Sequence, residues 1–154
     1  MFSRTVTVIC LASFSLLAAD KYDGPVPPKP DIPYLLHASN LIETEVGQAR
    51  QDKSSAVIAG ASSPARTPLA EPIFIINAQS FSPDRLELAR LEVKGGNREV
   101  SLGSGKRRGA RFLHLAVTPL GNRLFKVEVD EPLENGEYAL SPSGDNRVFC
   151  FEVY

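Results

Sequence analysis

Tryptophan is absent from this chain, methionine occurs only at position 1, and cysteine and histidine occur twice each. His37 and His114 share no ligand spacing with each other or with Cys150, so the sequence contains no short-range metal-binding set. G-x-S-x-G and H-E-x-x-H are also missing, and no Ser/His/Asp arrangement can be read from spacing. Gly105-Lys106 does not extend to a phosphate loop, because Val100 stands where the first glycine is needed and Arg107 where Ser or Thr is needed. No N-x-Ser/Thr sequon occurs, which favours a bacterial origin.

Only one long apolar run exists, and it lies at the N-terminus. Arg4 is the sole charge before Thr5–Ala19, an uncharged and largely apolar stretch that ends at Asp20. That order of positive start, apolar middle and polar exit is the pattern of a cleavable secretory signal over 1–19, cut after Ala18 or Ala19. The run is short of the roughly 18–20 apolar residues a spanning helix needs. A secreted or periplasmic location follows, with no transmembrane segment in the mature chain. Cys10 leaves with the signal, so Cys150 remains alone and an intrachain disulfide is excluded. In Val148-Phe-Cys-Phe-Glu-Val-Tyr154 that thiol is expected to be buried and inert.

Five prolines (Pro25, Pro27, Pro28, Pro30 and Pro33) make residues 20–33 a stiff, extended spacer. Residues 34–72 read as short strands, a loop and a linker. Strands are expected at Tyr34–His37, Leu41–Val46 and Ala56–Ile58, a polar loop at Gly47–Ser55, and a proline-spaced linker at Ala61–Pro72. From Ile73 the pattern is β throughout, with seven strands expected: Ile73–Asn77, Leu86–Lys94, Arg98–Leu102, Arg111–Val117, Arg123–Asp130, Glu137–Ser141 and Arg147–Val153. Gly95 and Gly96 supply the positive φ a two-residue hairpin turn requires. Phe149, Phe151 and Val153 face one way and Val148 and Cys150 the other, so the last strand is expected to be central and covered on both sides.

Seven short strands at about ten-residue spacing predict a mainly β fold. The expected form over 73–154 is an immunoglobulin-like antiparallel β-sandwich with a proline-rich N-terminal extension, without the Cys…Trp…Cys hallmark of antibody domains. Leu133-Glu-Asn-Gly-Glu-Tyr138 resembles the L-x-x-G-x-Y segment of small bacterial β-sandwich modules of the carboxypeptidase-regulatory, transthyretin-like kind. More broadly, Glu71–Tyr154 resembles secreted bacterial β-sandwich proteins. Both resemblances imply a fold and a compartment, and neither transfers an active site.

Charge is segregated along the chain: residues 85–126 are net +7, residues 127–154 net −6, and residues 20–84 net −3. Such a split marks a partner-binding face or cancels between neighbouring strands. The sharpest cluster is Lys106, Arg107, Arg108 and Arg111 in a glycine-flanked loop. Four cations there suit a phosphate, a sulfated sugar or another polyanion, and equally a solvated hairpin tip. No exposed aromatics interleave with them, which argues against nucleic acid. Asp130-Glu-Pro-Leu-Glu134 reads as a solvated acidic turn, and His114 as a half-buried structural residue.

The expectation that follows is a non-enzymatic module of the envelope or secreted fraction, needing no cofactor. Its partner would be an envelope or extracellular protein or glycan, or a second copy of itself. A polyanion or glycan binder built on the basic loop is the alternative. A hydrolase is a third, and it would need His37, His114 or Cys150 to meet a carboxylate in a pocket.

Overall fold

The computed structural model describes residues 21–102 and 110–154, so the expected signal segment 1–19 and most of the basic loop lie outside the described residues. The chain is mainly β. Its strands are β1 (Tyr34–His37), β2 (Asn40–Glu43), β3 (Glu45–Gln48), β4 (Arg50–Asp52), β5 (Ser55–Ile58), β6 (Arg66–Thr67) and β7 (Ile73–Asn77). They continue with β8 (Leu86–Lys94), β9 (Asn97–Ser101), β10 (Phe112–Leu113), β11 (Leu115–Gly121), β12 (Leu124–Val129), β13 (Gly136–Pro142) and β14 (Arg147–Val153). Among the described residues the only helical piece is a 3-10 turn at Pro83–Arg85, and no helix there is long and apolar enough to cross a membrane.

Two sheets form, antiparallel except where β6 lies parallel to β14. The first has the order β11-β12-β7-β1-β2, and the second β3-β14-β13-β8-β9-β5-β4, with β10 on β8 and β6 on β14. The two ends of the second sheet, β3 and β4, are consecutive in the chain and joined by Ala49 alone. A sheet whose first and last strands are covalent neighbours must curl back on itself, and this one is nearly barrel-like. Its long middle strand β8 serves both regions, pairing with β13 over Leu86–Leu91 and with β9 over Glu92–Lys94.

The main core is drawn from both sheets. Phe74, Ile76, Val127 and Val129 of the first meet Leu88, Leu140, Phe149 and Phe151 of the second. Phe151 packs edge-on to Phe74 at 5.1 Å and stacks on Tyr138 at 5.6 Å between ring centres. A separate smaller core, with Leu91, Ala139, Val148 and Cys150, fills the inside of the curled sheet. The two faces of β14 supply one core each, so both are buried, as the apolar alternation predicts.

Several expectations need correction. Leu41–Val46 is not one strand. The chain breaks at buried Thr44, whose hydroxyl donates to the Pro33 carbonyl at 2.7 Å, and it passes from the first sheet (β2) to the second (β3). The expected polar loop Gly47–Ser55 contains the end of β3 and all of β4. Neighbouring strands there satisfy a polar backbone that the side-chain pattern leaves unmarked. Within the proline-spaced linker, Ser63 and Thr67 are buried and β6 pairs with β14. Arg111–Val117 splits into β10 and β11, which belong to different sheets. Strands from 34–72 and from 73–154 are hydrogen-bonded to one another throughout, as in β1 to β7, β3 to β14 and β5 to β9.

The proline-rich lead is attached to the body over its last residues. The Asp31 amide donates to the Asn77 carbonyl, and its carboxylate accepts from the amides of Gln79 and Ser80 at 2.6 and 2.8 Å. Burial pushes the Asp31 carboxyl up, but those amides outweigh it and hold the group below its ordinary value. The Lys94–Asn97 hairpin forms as expected, with Gly95 and Gly96 at φ +57° and +78°.

Candidate functional site

Opposed residues on paired strands share a face, so the inside of the curled sheet can be read row by row. One row runs Glu45, Cys150, Ala139, Ala89 and Phe112 across β3, β14, β13, β8 and β10. A second joins Ile58, Arg98 and Val93 across β5, β9 and β8. The interior therefore has a charged end and an apolar end.

Arg98 closes the charged end and is wholly buried. Its Nη1 and Nη2 donate to Oε2 and Oε1 of Glu45 at 2.7 and 2.9 Å, a two-point grip that matches guanidinium to carboxylate. Nη2 and Nε also donate to the carbonyls of Ala59 and Gly60, each at 2.9 Å. Glu137 lies 3.5 Å from Nη1 and accepts from the Ser63 amide at 3.1 Å. The Ser63 hydroxyl in turn donates to the Cys150 carbonyl at 3.1 Å. Burial raises the Glu45 carboxyl, but its bonds and attraction to Arg98 prevail and leave it below its ordinary value. For Glu137 burial dominates, and the carboxyl stays above its ordinary value despite the Ser63 amide and the Arg98 charge. Four of this arginine's five N–H donors are hydrogen-bonded within its own chain and Glu137 adds an ion-pair contact, so the cluster is a bolt. It ties β9 to β3 and to the turn after β5.

Cys150 sits beside this bolt, fully buried. Burial pushes its thiol up to about 12, with Arg98 pulling down and the carboxylates of Glu45 and Glu137 pushing up. The thiolate is the nucleophile, so a thiol-specific aromatic disulfide should modify Cys150 in the native protein only at the rate of unfolding. Rapid stoichiometric labelling without denaturant would contradict this placement.

The apolar end is a cavity of about 190 Å³. Ala49, Ala56, Ala89 and Ala139 line it together with Ile58 and Val148. Alanine at these positions leaves room that larger side chains would fill. Leu102 and Phe112, 47% and 50% exposed, stand at the opening. Gln51, Ser141, Asn146, Glu87 and Asp145 supply its polar lining. Among the described residues no group of three His, Cys, Asp or Glu side chains is placed to hold a metal ion.

The residues singled out in the sequence lie elsewhere. Lys106, Arg107 and Arg108 lie outside the described residues. Arg111 is described, and its Nη2 donates to both Glu131 oxygens at 3.2 and 2.9 Å, so an anion at Arg111 would compete with Glu131. His114 is not half-buried: its side chain is 75% exposed, at the break between β10 and β11, with Nδ1 3.0 Å from Asp130. His37 is exposed beside the β1–β2 turn, whereas Cys150 is enclosed, so these three occupy different environments. The acidic turn is paired as well as solvated. Asp130 meets His114, Glu131 meets Arg111, and Glu134 meets Arg90. Among the described residues, Arg90 and Arg111 of the basic stretch thus pair with Glu134 and Glu131 of the acidic turn.

Sequence reading missed both the bolt and the cavity, although a signal for the bolt was present. Arg98 alternates with Val100, and Glu137 with Ala139, which puts charge on an otherwise apolar face of two strands, β9 and β13. No protein-family model matches this chain, and neither the curated proteins nor the solved structures hold one significantly similar to it.

Proposed function

We propose that this chain is an exported, non-enzymatic binding module, an immunoglobulin-like sandwich extended by a curled sheet whose cavity is the recognition element. The signal-like segment 1–19 supports export. The two-sheet core with short antiparallel strands supports the sandwich reading. The observation that carries the binding reading is the cavity of about 190 Å³ inside the curled sheet, with half-exposed Leu102 and Phe112 at its opening. Ligand sites recur in the mouths of curled and closed β-sheets, with apolar walls and a few polar groups. Alanine walls favour an apolar moiety over a glycan, whose hydroxyls would lose water without gaining partners.

A ligand that binds only the folded state raises stability by about 2.7 kcal/mol at a hundredfold excess over its Kd. Thermal unfolding with millimolar toluene, hexanol or indole should therefore show a rise in Tm of several degrees. Ala56→Leu, which fills the cavity from its partly exposed side, should abolish that rise without lowering the unliganded Tm. No shift with any of the three probes would overturn the reading.

A further inference from the structure

The cavity's volume and lining narrow the chemistry of its occupant; this step rests on the binding reading above. Ala89 and Ala139 lie side by side on β8 and β13. Ala49 and Ala56 lie beside β4 and on β5, at the other end of the strand order. The sheet curls, so the two pairs come from opposed walls. Facing sheet surfaces stand about 10 Å apart and are normally filled by large side chains from both sides. Alanine on both walls leaves open the space that larger side chains would otherwise fill. An apolar cavity of ~150 Å³ takes benzene, and this one, at about 190 Å³, has room for a ring and a short substituent.

Two further features select among occupants. Phe112 is half exposed on the lining and presents its ring to the opening, where edge-to-face or offset contact with a second ring is favourable. The polar lining carries the neutral groups Gln51, Ser141 and Asn146, which both donate and accept, together with the carboxylate of Glu87 and with Asp145, whose carboxylate is already held by the amide and guanidinium of Arg147. An anionic ligand would meet the Glu87 carboxylate, while a hydroxyl or ring N–H would find acceptors.

We infer that the cavity binds a free, neutral, small aromatic molecule, one ring or one fused pair, carrying a single hydroxyl or ring N–H donor, of the phenol or indole class. The ring enters between the alanine walls beside Phe112, and its substituent stays among the polar groups of the lining.

The test is a set of titrations of the mature chain, followed by NMR shifts of the cavity methyls. The probes are p-cresol, indole, cyclohexanol, benzoate and a hexapeptide with an internal tyrosine. The expected result is binding of p-cresol and indole about 2–10-fold tighter than cyclohexanol, with benzoate weaker still. Phe112→Ala should weaken the two ring ligands about 2–10-fold, the range of an aromatic pair, and leave cyclohexanol unchanged. Equal affinity for cyclohexanol would overturn the ring assignment, and equal affinity for benzoate the neutral one, while the binding reading stands. Peptide binding as tight as that of p-cresol would overturn the free-molecule assignment. Absence of binding by every probe would overturn the binding reading itself.

Discussion

Replacing Arg98 by methionine should destabilise the protein by about 3–5 kcal/mol, the usual consequence of removing one partner from a buried ion pair. The value is large because the arginine has no access to water, and its loss strands several groups at once. Glu45 would lose both strong bonds, the carbonyls of Ala59 and Gly60 would lose their donors, and Glu137 would lose its nearest cation. Methionine fills the stem's volume and supplies none of these donors. Urea unfolding of the wild type and variant measures the difference, and a loss under about 1 kcal/mol would mean the bolt is not structural. Adding Glu45→Gln and Glu137→Gln should recover part of the loss, because no carboxylate is then left buried without a cation.

The same variant has a definite pH dependence. Glu45 is held below its ordinary value, so its contribution to stability is present above the unfolded carboxyl range and fades as pH falls through the folded value. Glu137 is raised, so its contribution is complete below the unfolded value and is lost as pH rises through the folded one. Without Arg98 both carboxyls shift upward. The deficit of Arg98→Met should therefore be greatest near neutrality and shrink as pH falls into the carboxylate range. A deficit independent of pH would show that lost packing, not charge, accounts for it.

The second large effect is expected at Phe151. Phe151→Ala should cost about 3–5 kcal/mol through lost burial and the cavity left behind. The pairs with Phe74 and Tyr138 each add about 0.5–1.5 kcal/mol. Domain stabilities run to about 5–15 kcal/mol, so the variant should lose a large share of its stability, with Tm lowered by about 10 °C or more. Phe151→Leu keeps most of the volume and should stay folded at a much smaller loss. If both variants melted together, ring contacts would be the controlling factor. If neither moved, the main core would not depend on this strand.

These two residues differ in how much the sequence says about them. Phe151 stands in a strand that is apolar on both faces, and β14 is indeed covered on each side. Period-two alternation reports burial reliably because successive side chains must point to opposite faces. Tight turns are legible for a similar local reason: Gly95 and Gly96 adopt backbone angles that few other residues tolerate. Arg98 is different. In a linear reading it is one more cation in a basic stretch, since nothing local shows that Glu45, 53 positions earlier, will meet it.

The sequence by itself determined the β class, the hairpin at Lys94–Asn97 and the two-faced burial of β14, because each depends on neighbours within a few residues. Tertiary structure decided the crossing at Thr44, the meeting of β3 and β4 around the curled sheet, the arginine bolt and the alanine-walled cavity. Each of these depends on which strands pair. Pairing between distant segments is selected by the burial of the whole core rather than by any short stretch. Cys150 belongs to both accounts: its burial is written in the alternation of its strand, but the charges that face it come from elements brought together only by folding.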